Sequence, residues 1–377
     1  MKQARRNIVT RSFRLVAAIA LAGAAAQAFA AAPAVIRVGV ASPAHGSPPG
    51  ISGSSIAIAH ATGAIEQEFK ADNIKVEWFF FKGAGPAVNE ALSNKQLDFA
   101  FQGDLPSIIG KAAGLKTRLI LATGIRANLY LAVPPDSTIR KVEDLRGKRV
   151  AFFKGTNGQL PINRLLAAHG LAEKDLRVVN LDTATSQAAL TTKDIDAVFG
   201  GYDLIKLRDK GVARIVYTSK GDSPVFTRQS HMLVTDDFAG KYPEQTRRFV
   251  KAVVKAARWS SDDANREEVF RMWARPGTAK LEHWKEDYEG QPLRTRLSPL
   301  FDPFLTERYK DAVEHAYQFR LIRRKFDVDT WIDRSFLNAT LKELKLESYW
   351  PANPVGAFSA KAAQVSQKPV PGGSIRS

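Results

Sequence analysis

Two short segments of this chain combine a glycine with residues suited to holding an anion. The sequence reads Phe-Phe-Lys-Gly at Phe80–Gly83 and again at Phe152–Gly155. A strand that ends in glycine and feeds a helix leaves backbone N–H groups, and the positive end of the helix dipole, facing whatever sits there. Glycine also lets the backbone approach an oxyanion closely. The first copy continues as Ala84-Gly85-Pro86 and offers mainly backbone. The second continues as Thr156-Asn157-Gly158 and adds side-chain donors, so the second unit is expected to hold a ligand's charged end more tightly. Each copy is followed by Ala-Leu-x-x-Lys-x-apolar-Asp-x-x-Phe, at Ala91–Phe101 and Ala189–Phe199, which predicts two similar lobes facing a cleft.

Ligand groups collect where strands end and helices begin, and four loops qualify. The first is Ser42–Gly53, with His45 and Gly46. The second pairs Gly83, Ala84 and Gly85 with Gln102, Gly103 and Asp104. The third is Gly155–Gly158, and the fourth is Gly200–Asp203, with Gly201 and Tyr202. Gln102 and Tyr202 are candidates to orient a ligand's polar end. Asp104 is equally placed to cap the helix predicted from Leu105 to Ala113. Arg126 offers a bidentate guanidinium suited to a sulfonate. Lys82 and Lys154 are further cations that solvent would otherwise claim. His231 is read either as a ligand contact or as a histidine satisfied inside its strand. Asp98 and Asp196, at strand starts, read as structural.

The elements that must position these groups alternate. Strands are predicted at Val35–Val40, Ile74–Phe81, Leu97–Gln102 and Leu119–Thr123, with helices between them. A second cycle runs from Leu129 to about Ser219. Alternation of this kind implies α/β architecture with mostly parallel sheets. Beyond a strand near His231–Thr235 the pattern is helical. Trp259, Trp273, Trp284, Trp331 and Trp350 fall in that half at helical spacings, as packing residues would.

Composition narrows the function. The chain has 377 residues and no cysteine, which excludes disulfides, thiol nucleophiles and cysteine-bound metal. No metal or cofactor site is expected. Lys2, Arg5, Arg6, Arg11 and Arg14 precede the apolar run Leu15–Ala26 and an Ala28-Phe29-Ala30 site, so 1–30 reads as a cleavable signal peptide. A signal without a lipid-attachment cysteine points to the periplasm. The formal charge of +17 is spread along the chain and accompanies no nucleic-acid motif, so it favours small anions over nucleic acid. Gly-x-Ser-x-Gly, His-Glu-x-x-His and Walker A motifs are absent from the sequence. After Trp350 the composition turns to Pro, Gly, Ala, Ser and Lys, and 351–377 reads as a disordered tail.

Several stretches together resemble periplasmic substrate-binding proteins of ABC importers, in the branch that takes up aliphatic sulfonates, taurine and nitrate. They are Ala84-Gly85-Pro86 opening a helix, Leu92–Pro106, Val142–Gln159, Lys193–Asp203, His231–Glu244 and Phe326–Leu344. The resemblance implies a type II-like two-lobe fold joined by hinges. One lobe would comprise 31–125 with 226–350, the C-terminal helices packed on it, and the other 126–225. It also implies a monomer without catalytic activity that binds a small anionic solute and hands it to an inner-membrane permease. Ligand positions carried over are those of the four loops with Arg126 and His231. The chain departs from the pattern at Gly200-Gly201-Tyr202 and in its long glycine-rich first loop. A binder of a neutral or aromatic nutrient, such as a thiamine precursor or flavin, is the alternative. An enzyme on the same fold is a weaker one, because the enzymes known there rely on cysteine.

Overall fold

The computed structural model describes residues 32–352. The predicted signal peptide and all but the first two residues of the predicted tail lie outside them. From Ala34 onward the chain forms two five-stranded sheets. The strands are β1 (Val35–Val40), β2 (Lys75–Phe80), β3 (Phe99–Gly103), β4 (Thr117–Ala127), β5 (Tyr130–Val133), β6 (Arg149–Phe152), β7 (Arg177–Asn180), β8 (Ala197–Gly200), β9 (Arg214–Thr218) and β10 (Arg228–Thr235). The first sheet has the order β2-β1-β3-β10-β4 and the second β7-β6-β8-β5-β9.

Both sheets are mixed, with four of the five strands in each pointing one way and one strand opposed. In each, three strands joined by helical crossovers run parallel, while β10 and β5 pair antiparallel with both of their neighbours. β10 is the opposed strand of the first sheet and β5 that of the second. β10 arrives from the second sheet, beyond β9, and is inserted between β3 and β4, where no βαβ crossover dictates its direction.

One part of the sequence repeat is a true structural repeat. Asp98 Oδ2 accepts from the Arg37 backbone N–H at 2.8 Å and from its Nε at 3.0 Å, and Oδ1 accepts from Nη2 at 2.7 Å. Asp196 does the same for Arg149, at 2.7, 3.3 and 2.9 Å. Lys95 and Lys193 both adopt the left-handed conformation that ends the preceding helix, and each carbonyl accepts from its own arginine. Each Lys-x-apolar-Asp thus fastens a helix end and the start of β3 or β8 to the start of β1 or β6. The Phe-Phe-Lys-Gly copies are not equivalent. One follows β2, an edge strand, and the other follows β6, inside its sheet.

The helical half packs as core. Trp273, Trp284, Trp331 and Trp350 are buried. Each buried ring of that size contributes roughly 2–3 kcal/mol. Trp273 and Trp284 belong to the cluster that also holds Ile36, Val38 and Phe249, so these helices pack on the first sheet as expected. The helix Leu281–Asp287 also reaches the second: Trp284 lies 3.9 Å from the Tyr202 ring, and Arg208 pairs with Glu286 at 2.5 Å. Beside the β4–β5 crossover, buried Asp287 accepts from Asn128 at 3.0 Å and from the Tyr130 hydroxyl at 2.8 Å.

Candidate functional site

Three ten-residue helices begin beside one another. They are Ala84–Ser93, Asp104–Ala113 and Gln159–Ala168, and their N-caps are Gly83, Gly103 and Gly158. Glycine supplies no side chain to cap the first turn, so these helix starts keep N–H groups available to a ligand. Between them lies a cavity of about 190 Å³. Its floor comes from the ends of β1 and β3, and its first-sheet wall from Gly53, Ser54, Thr123 and Ser230. Its roof is Thr156 and Asn157 of the second sheet.

The two lobes touch above this cavity. A Cβ placed on Gly103 would lie 2.2 Å from the Asn157 Cβ, and one on Gly155 would lie 3.2 Å from the Pro86 ring. The cavity is therefore roofed by direct contact between lobes, and Gly103 is the residue whose missing side chain allows it.

Among the described residues, no lysine, arginine, aspartate or glutamate lines the cavity. Its polar side chains are hydroxyls and amides. Ser42 and Ser52 spend their hydroxyl protons on the carbonyls of Pro43 and Trp273, and Thr156 spends its own on Phe153 at 2.7 Å. The hydroxyls of Ser54, Thr123 and Ser230 and the amide of Asn157 have no protein partner among the described residues. An arrangement of this kind can hold an anion through neutral dipoles and helix starts, without an ion pair.

The structure brings Ala84, Gly85, Gln102, Gly103, Thr156 and Asn157 together at this cavity. Gly83 and Gly158 stand one residue behind it, as N-caps. The other candidates lie elsewhere. His45 pairs with Gly50 in the first loop, and Gly46 backs onto Pro276, because that loop is pinned against the C-terminal helices. Gly201 lies against the Arg228 guanidinium. Tyr202 has its ring face on Trp284, and burial holds its hydroxyl protonated. Arg126 is turned away by its left-handed backbone, φ 56°, which lays the guanidinium 4.4 Å over the Phe304 ring. His231 is fully buried between Tyr309 and Ser107, its Nε2 2.7 Å from the Ser107 hydroxyl, and burial pushes it down to about 3, so it is neutral.

Asp104 is neither cap nor cavity residue. Gly103 caps the helix, and Asp104 is the first helical residue, 1% exposed. Burial pushes its carboxyl up to about 6, a rise that Arg308 and Arg164 only partly offset. Because the folded value lies above the unfolded one, this carboxyl favours folding fully below about pH 4. That contribution is lost as the pH rises through 6. Relative to an Asp104→Asn variant, the wild type should lose up to about 3 kcal/mol between pH 4 and pH 8. Urea unfolding of both proteins across that range measures the difference, and parallel curves would refute the assignment.

Thr123, Ser230 and Ser54 are not among the candidates that the sequence offers. Ser54 follows the glycine-rich first loop, a signal that was available. Thr123 and Ser230 become neighbours of β3 only through the insertion of β10, where Ser230 pairs with Gly103.

Two mixed α/β sheets closing on a cavity define a two-lobe solute-binding fold. The family model described as NMT1/THI5 like matches residues 65–266, more than half of the chain, and the chain belongs to that family. A Bacillus subtilis (strain 168) protein named for aliphatic sulfonates binding is 27% identical over 297 residues, covering 77% of this chain and 86% of the relative. Among solved structures, the periplasmic sulfonate-binding protein SsuA of Methylobacillus flagellatus KT superposes with a TM-score of 0.73 at 31% identity, covering 85% of this chain and 98% of that one. The alkanesulfonate-binding protein SsuA of Xanthomonas axonopodis pv. citri, solved with MOPS, gives 0.67 at 23% identity, covering 81% and 100%.

Proposed function

We propose that this chain is the periplasmic solute-binding component of an ABC importer. It captures an aliphatic sulfonate between its lobes and delivers it, unchanged, to an inner-membrane permease. The observation that carries this reading is the cavity's neutral donor set. A sulfonate keeps its single negative charge throughout the physiological range and offers only acceptors. Ser54, Thr123, Ser230 and Asn157, with the helix starts at Gly83–Gly85 and Thr156–Gly158, offer donors. The sulfonate-binding names of the relatives support the same class. An aromatic nutrient is less well served, because Phe101 is the one aromatic residue of the cavity lining and its ring is stacked on Phe249 and Trp78.

Ligand that binds only the folded, closed protein stabilises it by about 2.7 kcal/mol at a hundredfold excess over Kd. Thermal unfolding of the mature protein with ethanesulfonate, 2-aminoethanesulfonate, nitrate or riboflavin separates the readings. A rise with the sulfonates alone is expected. A rise with riboflavin alone would replace this proposal with the aromatic one.

A further inference from the structure

One polar atom of the cavity has the wrong sign for an anion. Gln102, at the end of β3, lines the cavity and is 3% exposed, and its Oε1 has no hydrogen-bond partner. The orientation of that amide is set by a relay. Asn89 Nδ2 donates to the Pro106 carbonyl at 2.7 Å, which fixes the Asn89 amide and leaves its Oδ1 to accept. Gln102 Nε2 fills that acceptor at 3.1 Å. Turning the Gln102 amide over would set two oxygens against each other, and turning both amides would set the Asn89 oxygen against the Pro106 carbonyl. The relay therefore holds a buried carbonyl oxygen without a donor, on a residue of the cavity lining and beside Gly85.

A buried acceptor without a donor is unfavourable, and it repels the oxygens of a sulfonate. The hydroxyls and helix starts suit one end of a ligand, and Gln102 Oε1 suits a different group. Building on the sulfonate reading above, we propose that the solute carries a hydrogen-bond donor on its carbon skeleton, an amine or a hydroxyl. Gln102 is the residue that selects it. Asn89 is a positioning residue, since it reaches the ligand only through Gln102. An alkanesulfonate without such a group leaves Oε1 unpaired when the lobes close.

The test is calorimetric titration of the mature protein with ethanesulfonate, 2-aminoethanesulfonate and 2-hydroxyethanesulfonate, which share the anionic end and differ in one substituent. The amino and hydroxy compounds are expected to bind at least about tenfold more tightly than ethanesulfonate. Gln102→Leu is expected to erase that difference. Equal or tighter binding of ethanesulfonate to the wild type would overturn the proposal without using any variant, as it would if water rather than ligand satisfied Oε1. A preference that persists in a folded Gln102→Leu protein would also overturn it. Binding of none of the three would instead remove the sulfonate reading on which it rests.

Discussion

Replacing Asp311 with alanine is expected to lower the stability of the protein by about 3–5 kcal/mol. Asp311 lies on the helix Pro303–Gln318 and is the anion between two buried arginines. Arg164, on the helix Gln159–Ala168 that roofs the cavity, reaches it at 2.7 Å, and Arg308 reaches it at 2.9 Å. The side chains of Arg164 and Arg308 are 2% and 1% exposed. Burial alone would raise the Asp311 carboxyl, but Arg164, His315 and Arg308 hold it far below the usual carboxylate range. Because its folded value is depressed, the stability it gives is present above about pH 4 and lost as the pH falls below that. Arg164 has no other side-chain hydrogen-bond partner among the described residues, and its Nε and Nη1 are already unpaired, so the alanine variant leaves its charge buried with only the Asp104 carboxyl to offset it. Arg308 keeps the Val225 carbonyl at 2.6 Å but loses its paired carboxylate and is left with Asp104. The effect should exceed that of any single surface pair, which contributes about 0–1 kcal/mol. Guanidinium unfolding at pH 7 measures it. A loss below about 1 kcal/mol would mean that water reaches Arg164 and that this contact does not hold the two lobes together.

The second large effect is on binding and leaves the fold alone. Gly103 has φ −82° and ψ 172°, a backbone conformation that alanine adopts freely. The three atoms nearest an added methyl all belong to Asn157 of the other lobe. Gly103→Ala should therefore leave the melting temperature without ligand close to that of the wild type. It sets a methyl 2.2 Å from the Asn157 Cβ, so the lobes must part. If closure becomes about a hundredfold less favourable, apparent affinity falls by about the same factor. Asn157→Gly in the same chain removes the clashing carbon and should recover part of the loss. Titration calorimetry measures the affinity and small-angle scattering the closure. Unchanged affinity in Gly103→Ala would show that binding does not need the contact between Gly103 and Asn157.

Much of the scaffold is written locally. Val35–Val40 matches β1 residue for residue, and Gly114, at φ 106°, ends its helix where the pattern placed the stop. The helices Ser55–Ala61 and Ala64–Phe69 are separated at Gly63, φ 63°, whose left-handed backbone the apolar spacing does not reveal. The Arg–Asp clamps were half legible. Asp98 and Asp196 were placed at strand starts, but their partners Arg37 and Arg149 lie 61 and 47 residues away. The same distance in sequence limited the reading of the site. Glycine loops mark where helix starts converge, so Ala84, Gly85, Gly103 and Asn157 were found. Charge was the poorer guide. Arg126 was chosen for its guanidinium, yet its backbone turns it onto Phe304. His231 sits on a strand that ends at the cavity, but on the face that packs against Tyr309 and Trp331. Residue type alone could not tell the two faces of β10 apart. Thr156 shows a further limit, because its hydroxyl proton is already used by Phe153. The balance of free donors thereby shifts to Ser54, Thr123 and Ser230 of the first sheet, the reverse of what the sequence suggested.

We propose that neutral donors of the interlobe cavity hold a sulfonate. A crystal structure of the mature protein grown with saturating 2-aminoethanesulfonate tests it most directly. The sulfonate group is expected inside the cavity, within hydrogen-bond distance of at least one of Ser54, Thr123 and Ser230 and of the backbone at Gly85 or Asn157. The amine is expected on the Gln102 side. A sulfonate seated instead on Arg126 or another cation outside the cavity, with the lobes closed over water, would contradict it.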